Sequence, residues 1–462
     1  MIPAQDIVEH GLARASDAGA DGCVVLVGER SHADVRFALN STTTNGVQRG
    51  RTVSVVAIAG SSVGTAQRTG VVGTDGVADM VAAAMADARQ APPAEDAFAL
   101  VEPAADPPGR PFSDGPEETD SAALETVLAA LSGAFGRARA RDAVLAGFAE
   151  LDVDTEYLGT STGVRLSYVQ PTGAVGLVGR TADGTGSAWV GAPTITPSLE
   201  EMEQEIWRRL DWGTRQIAVE AGRYEVILPP SGVADMMAML AFGGIGGQDA
   251  EDGRTVFSKE GGGTRIGERI ATLPFTLFSD PAAPGVECTP FVATPASSSE
   301  VSVFDNGLPI GRTDWVREGV LTHLRYHRAG AARSGAAFAP YVDNLLLDCD
   351  GAAGGTVDEM VARTERGLLL TCLWYIREVD PATLLMTGLT RDGVYVIEDG
   401  KVAGAANNFR FNESPVDLLA RATEVGTPVR SLGREFGEYL NRTITPPLRI
   451  PDFNMSSVSQ AS

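Results

Sequence analysis

Apolar and polar positions change period several times along this 462-residue chain, and each change predicts an element. Ile7, Leu12 and Ala15 fall at helical spacing, which predicts an amphipathic helix over 3–19. Cys23–Val27, Asp34–Leu39 and Val53–Ala59 read as strands, with period-2 alternation in the second, and Asn45-Gly46 is a turn signal among them. A helix over 75–90 carries Val77, Met80, Val81 and Met85 on one face. Seven prolines between 91 and 119 predict an extended connection, because proline removes a backbone donor and disfavours helix before it. A helix over 121–138 with Leu124, Val127, Leu128 and Leu131 follows, then strand-like runs over 144–190. Ser198 with Glu201 fits a capping box that opens a helix through Met202, Ile206 and Leu210 to about 218.

After residue 220 the pattern becomes one of strands and turns. Asn306-Gly307, Glu318-Gly319, Asp392-Gly393 and Asp399-Gly400 punctuate apolar runs as hairpin turns would. Helices near 231–242 and 356–367 interrupt them. The predicted fold is α+β: an N-terminal region over 1–220, with helices on an antiparallel sheet, and a β-rich C-terminal domain over 221–462.

Charge narrows the functional classes. Lys+Arg 37 against Asp+Glu 60 gives a formal net charge of −23, which opposes binding to nucleic acid and to anionic membranes. Cys23, Cys288, Cys349 and Cys372 are widely spaced, form no CxxC pair and read as buried free thiols. The first ten residues show no basic region followed by an apolar run, and no apolar run reaches membrane-spanning length. The expected location is the cytoplasm.

The candidate chemistry begins at 225–244, Glu-Val-Ile-Leu-Pro-Pro-Ser-Gly-Val-Ala-Asp-Met-Met-Ala-Met-Leu-Ala-Phe-Gly-Gly. Thr255-Val256-Phe257-Ser258-Lys259 and Arg265-Ile266-Gly267-Glu268-Arg269-Ile270 come next. The stretch Val379 to Val402 and the earlier Arg36-Phe37-Ala38-Leu39-Asn40-Ser41-Thr42-Thr43-Thr44-Asn45-Gly46 complete the set. In these segments the chain resembles the TldD/PmbA family of zinc metallopeptidases. The resemblance spans most of the chain, with several motifs in the family's order in the C-terminal half. In the TldD branch an HExxxH helix follows such a strand and Pro loop, and a cysteine at the late hairpin supplies a third zinc ligand. The matching positions here are Ala238, Met239 and Gly243, with Thr387 at the cysteine position. None of these side chains is a competent base or a hard ligand.

The resemblance therefore implies a PmbA/TldE-type subunit with no catalytic residue, metal or cofactor of its own, paired with a TldD-type chain that carries the zinc. The pair would cleave small or unfolded peptides in a closed chamber, into which substrate would enter as an extended strand paired to a sheet edge. This chain would close the chamber and help bind the peptide. Within Asn407-Asn408-Phe409-Arg410-Phe411-Asn412, the residues Asn407, Asn408, Arg410 and Asn412 are the expected peptide-binding groups, since amides and a guanidinium satisfy carbonyls and a carboxylate. A loop that ties down its own backbone explains the same residues without a ligand. Two other functions stay open on the same fold: a non-proteolytic binding or scaffold protein, and a subunit recruited to a biosynthetic tailoring reaction.

The remaining signals are weaker. His323 and His327 stand four apart and would share a face on a helix, a spacing that can hold a metal. No glutamate lies between them, so a polar surface pair is the expectation and an autonomous metal site the alternative. Gly243-Gly244-Ile245-Gly246-Gly247 and Gly261-Gly262-Gly263 lack the Lys-Ser/Thr ending of a phosphate loop and read as loops lining a groove.

Overall fold

The computed structural model describes residues 2–70 and 72–459. Its N-terminal part is one antiparallel sheet covered on one side by helices. The helices are α1 (Ala4–Asp17), α2 (Thr74–Gln90), α3 (Glu125–Ala140) and α4 (Leu199–Trp212). The strands are β1 (Gly22–Ala38), β2 (Ser41–Ala59), β3 (Ser62–Thr69), β4 (Ala143–Thr160), β5 (Arg165–Thr181) and β6 (Ser187–Ala192), ordered β3-β2-β1-β4-β5-β6. Alternation assigns the two faces. Cys23, Val25, Val27, Val53 and Val55 meet Ile7, Val8, Val77 and Val81 of α1 and α2. Val35, Phe37, Leu145 and Leu177 meet Leu131, Phe135 and Ile206 of α3 and α4. Each large apolar side chain so buried contributes roughly 1.5–3 kcal/mol.

The long β1–β2 ribbon turns at Leu39 and Asn40, with φ of 51° and 56°, where both residues of a two-residue hairpin take the left-handed region. Asn40 tolerates this because its amide bonds Ala143 O at 2.8 Å and Leu145 N at 2.7 Å. Asn45-Gly46, the expected turn, instead lies inside β2 opposite Val35 and Asp34. Two runs expected as separate strands, Cys23–Val27 and Asp34–Leu39, merge in β1, apart from Leu39 in the turn. Residues 91–119 form the extended connection expected, tied back to the domain by Gln5 Nε2 bonding Phe112 O and Asp114 O.

The chain then continues through β7 (Gln216–Ile217), β8 (Gly222–Leu228), α5 (Pro230–Met239), α6 (Gly247–Glu251), β9 (Phe275–Ser279), β10 (Thr313–Arg317), β11 (Val320–Leu321), α7 (Arg328–Ser334), β12 (Leu345–Cys349) and α8 (Val357–Ala362). It ends with β13 (Arg366–Leu370), β14 (Leu373–Asp380), β15 (Leu385–Thr390), β16 (Val394–Glu398), β17 (Lys401–Ala406), β18 (Phe409–Glu413), α9 (Pro415–Arg421), β19 (Glu424–Val425), β20 (Val429–Ser431), β21 (Thr443–Thr445) and β22 (Leu448–Val458). These strands build a large sheet, ordered β14-β15-β18-β22-β8-β13-β16-β17-β7 with β19 beside β22, and a smaller one, ordered β11-β10-β9-β12-β21-β20. The architecture is α+β as the pattern predicts, with long strands under the four longest helices in the first part and many shorter strands in the later part.

Four local expectations are corrected. The helix opened by Ser198 ends at Trp212, capped by Gly213, and residues 216–217 pair with β17. The helix begun at Val357 stops at Ala362 because Arg366 already pairs with Glu398 in the large sheet. Of the four hairpin signals, Glu318-Gly319 turns β10 into β11, and Asp399-Gly400 turns β16 into β17. Asp392-Gly393 instead links strands that are not neighbours, and the Asn306 amide bonds Thr294 N and O to stitch a loop.

The second face of the N-terminal sheet meets the C-terminal part. Val24, Leu26, Leu158 and Leu166 pack on Phe291, Val303 and Phe304. Two cavities lie along this junction, and both are lined by residues of that same sheet face.

Candidate functional site

The helix that carries Ala238 and Met239, where the resemblance puts the missing zinc ligands, is α5, started by Pro230 in its first turn. Ala238 is 1% exposed in the main core and Met239 packs against that core. One wide turn over 240–244 then brings Gly243 against β14. A Cβ there would stand 3.0 Å from Glu378 Oε2 and 3.0 Å from Leu384 Cδ1, so a larger side chain would have to displace both side chains. Thr387 sits on β15, its hydroxyl donating to Phe411 O at 3.3 Å and accepting from Arg410 Nη1 at 3.2 Å. The residues at these positions do not fit a zinc ion: they offer methyl, thioether and hydroxyl groups and no imidazole, carboxylate or thiolate. Among the described residues no group of three His, Cys, Asp or Glu side chains could hold a metal.

The structure divides the four expected peptide-binding residues. Arg410 and Asn412 lie on one face of β18 beside Thr387 of β15, which pairs with Asn412 on one side and with Arg377 of β14 on the other. Asn412 Oδ1 is buried with no hydrogen-bond partner. Asn407 and Asn408 lie elsewhere, beside a smaller cavity of about 180 Å³ near Arg391. There the Asn407 Oδ1 accepts from Val219 N at 2.8 Å, a structural tie of the kind that needs no ligand.

His323 and His327 do not share a helix face. Residues 322–327 are extended, and His323 Nδ1–H donates to Asp314 O at 2.8 Å. His327 is 4% exposed and caps α7, its Nδ1 accepting from Gly330 N at 3.2 Å. Burial holds its pKa below the usual histidine value. The expected surface pair is therefore one half-buried ring and one buried cap, not a shared ligand set.

Sequence reasoning missed the feature that organises this region. Asp235, with no exposure, is the one charged side chain of α5. Its carboxylate accepts from the backbone N–H groups of Arg434 at 2.9 Å, Glu435 at 3.1 Å and Phe436 at 2.9 Å. Burial pushes its pKa up to about 7 against the opposing pull of those three donors. An aspartate inside Val233-Ala234-Asp235-Met236-Met237 was the available signal, since a buried carboxylate requires donors.

The loop so pinned forms one wall of a cavity of about 510 Å³. Trp374, Tyr375 and Arg377 of β14 form a second wall, and Phe148, Glu150 and Trp189 of the N-terminal sheet a third. Phe242, beside Gly243, meets Phe436 edge-on at 6.2 Å, so the cavity adjoins the end of α5. Arg377 pairs with Glu435 at 2.6 Å.

The second cavity, about 430 Å³, is lined by Asp154, Glu156, Glu300 and Asp343. Burial, followed by the charge of Asp154, pushes the Glu156 carboxyl up to about 8. Burial also raises Asp154, Glu300 and Asp343.

The family model for the PmbA/TldA metallopeptidase C-terminal domain matches residues 221–457. No curated protein matches the chain at sequence level. Among solved structures the chain is similar to TldE from Thermococcus kodakarensis, at 16% identity, covering 97% of this chain and 98% of that one, with a TM-score of 0.79. It is also similar to a protein from Thermotoga maritima described as a candidate modulator of DNA gyrase, at 14% identity, with 97% and 99% coverage and a TM-score of 0.75. At these identities the neighbours show the fold, and the match over 221–457 shows the family: this chain belongs to the PmbA/TldD family.

Proposed function

We propose that this chain is a PmbA/TldE-type subunit that carries no zinc and acts with a TldD-type partner that does, in cleaving small or unfolded peptides. The observation that carries the reading is the packing at the family's ligand position. Ala238 is core, Gly243 is pressed against Glu378 and Leu384, and α5 spends its single carboxylate on holding the 434–436 loop. A helix built this way supports a wall of a binding site and supplies no nucleophile. Peptide capture is supported by β14, which ends the order of the large sheet and, among the described residues, pairs only with β15. Its Tyr375 and Val379 are 53% and 56% exposed, so an extended peptide adding to this edge finds backbone groups and apolar side chains together.

The reading places the reaction itself on the partner, in the cytoplasm, with this chain closing the chamber. Co-purification with a TldD-type chain, followed by digestion of unfolded peptides, tests it. A stable pair that cleaves peptides while neither chain alone does so is the expected result. A zinc-loaded pair with no peptidase activity would leave the binding or scaffold role in its place.

A further inference from the structure

The cavity beside β14 has chemistry of its own. The Arg434 guanidinium carbon stands 4.3 Å from the centre of the Trp374 ring and 5.3 Å from that of Trp189, so the cation is stacked between two indoles. Arg434 forms no ion pair among the described residues. Its neighbour Glu435 is engaged elsewhere, by Arg377 at 2.6 Å and by Tyr375 N at 3.1 Å. Arg434 Nε and Trp374 Nε1 are both shielded from solvent with no acceptor. Two buried donors without acceptors on adjoining walls, one of them charged, require an explanation. The wall is not free to rearrange, because Asp235 fixes the backbone of Arg434, Glu435 and Phe436.

Unmet donors, a full positive charge and flat aromatic surfaces together select a ligand with a planar anionic acceptor. A carboxylate meets the fork of a guanidinium with two parallel hydrogen bonds, and indole faces accept an apolar residue beside it. The other acids at the cavity leave this cation available: Glu150 faces Arg36 at 3.8 Å, and Glu438 is exposed. The edge of β14 lines the same cavity; its Tyr375 N–H is held by Glu435, and its other backbone groups are those an extended peptide would pair with. We propose that this cavity binds the C-terminal carboxylate of a peptide laid along β14, with Arg434 as the cation and Trp189 and Trp374 as the walls. The assignment rests on the peptide-binding reading above and specifies the end of the peptide that is recognised.

Calorimetric titration of the full chain tests it with three probes: a short peptide ending in phenylalanine as the free acid, the same peptide as its C-terminal amide, and free phenylalanine. The free acid is expected to bind at least about tenfold more tightly than the amide. Arg434→Gln should remove that preference, and Arg434→Lys should restore part of it. Equal affinities for acid and amide on the unaltered chain would overturn the carboxylate site and leave peptide binding in place. Binding of neither peptide would overturn both. Free phenylalanine binding as tightly as the peptide acid would overturn the peptide assignment in favour of a small carboxylate.

Discussion

The carboxylate of Asp235, buried in α5, accepts the backbone N–H of Arg434 at 2.9 Å and so joins that helix to the wall of the cavity beside β14. The same carboxylate also holds Glu435 and Phe436. Removing it leaves three backbone donors with no partner. Asp235→Ala should therefore lose about 3 kcal/mol or more of stability, and Asp235→Asn less, since an amide oxygen still accepts. Urea unfolding of both variants checks the order, and an alanine variant as stable as the parent would show that the loop holds itself.

Stability should fall as pH rises through the neutral range. Glu156 is raised from an ordinary carboxyl value to about 8, and Asp235 to about 7. The unfolded chain ionises each at a lower pH than the folded one. Their contribution is thus fully present below the unfolded values of about 4 and is lost as pH climbs through the raised ones. Glu156→Gln removes a group that resists ionisation. It should stabilise the chain at about pH 8.5 and change little near pH 4, where the parent carboxyl is already neutral. Thermal melts across that range decide it, and the opposite slope would mean that Glu156 is ionised and paired.

Restoring a ligand to α5 should cost stability before it yields a metal site. Ala238 is 1% exposed in a packed core. Ala238→His adds volume and an unpartnered ring, an expected loss of about 2–4 kcal/mol. Gly243→His meets Glu378 and Leu384 and should also destabilise. Denaturation midpoints of the two single variants measure this, and unchanged midpoints would mean that the helix retains room for a metal.

The four cysteines should resist modification in the folded chain. Cys23, Cys288, Cys349 and Cys372 are all buried and free. Burial pushes the thiols of Cys23 and Cys288 up to about 12, with Cys349 and Cys372 also raised. Thiolate is the reactive form, so alkylation near pH 8 should be slow until denaturant is added. Rapid labelling of the native chain would contradict the packing around these residues.

Period and turn chemistry made much of the fold legible, because α1 and α2 bury one periodic face and because Glu318-Gly319 and Asp399-Gly400 take left-handed backbone. Sequence failed where a tertiary contact decides the local outcome. Asn45-Gly46 has better turn chemistry than Leu39-Asn40, yet Asn40 wins because its amide reaches Ala143 and Leu145 on a strand a hundred residues away. Arg434 could not be singled out for the same reason: its tryptophans come from β6 and β14, far apart in the chain. His323 and His327 show the converse, a spacing that means something only on a helix the chain does not form there.

The central claim is that this chain brings no zinc to a reaction in which it takes part. Elemental mass spectrometry of the chain purified alone and of the chain co-purified with a TldD-type partner tests that most directly. The account predicts no stoichiometric zinc in the chain alone and about one zinc per pair, held by the partner. Stoichiometric zinc in the chain alone would contradict it.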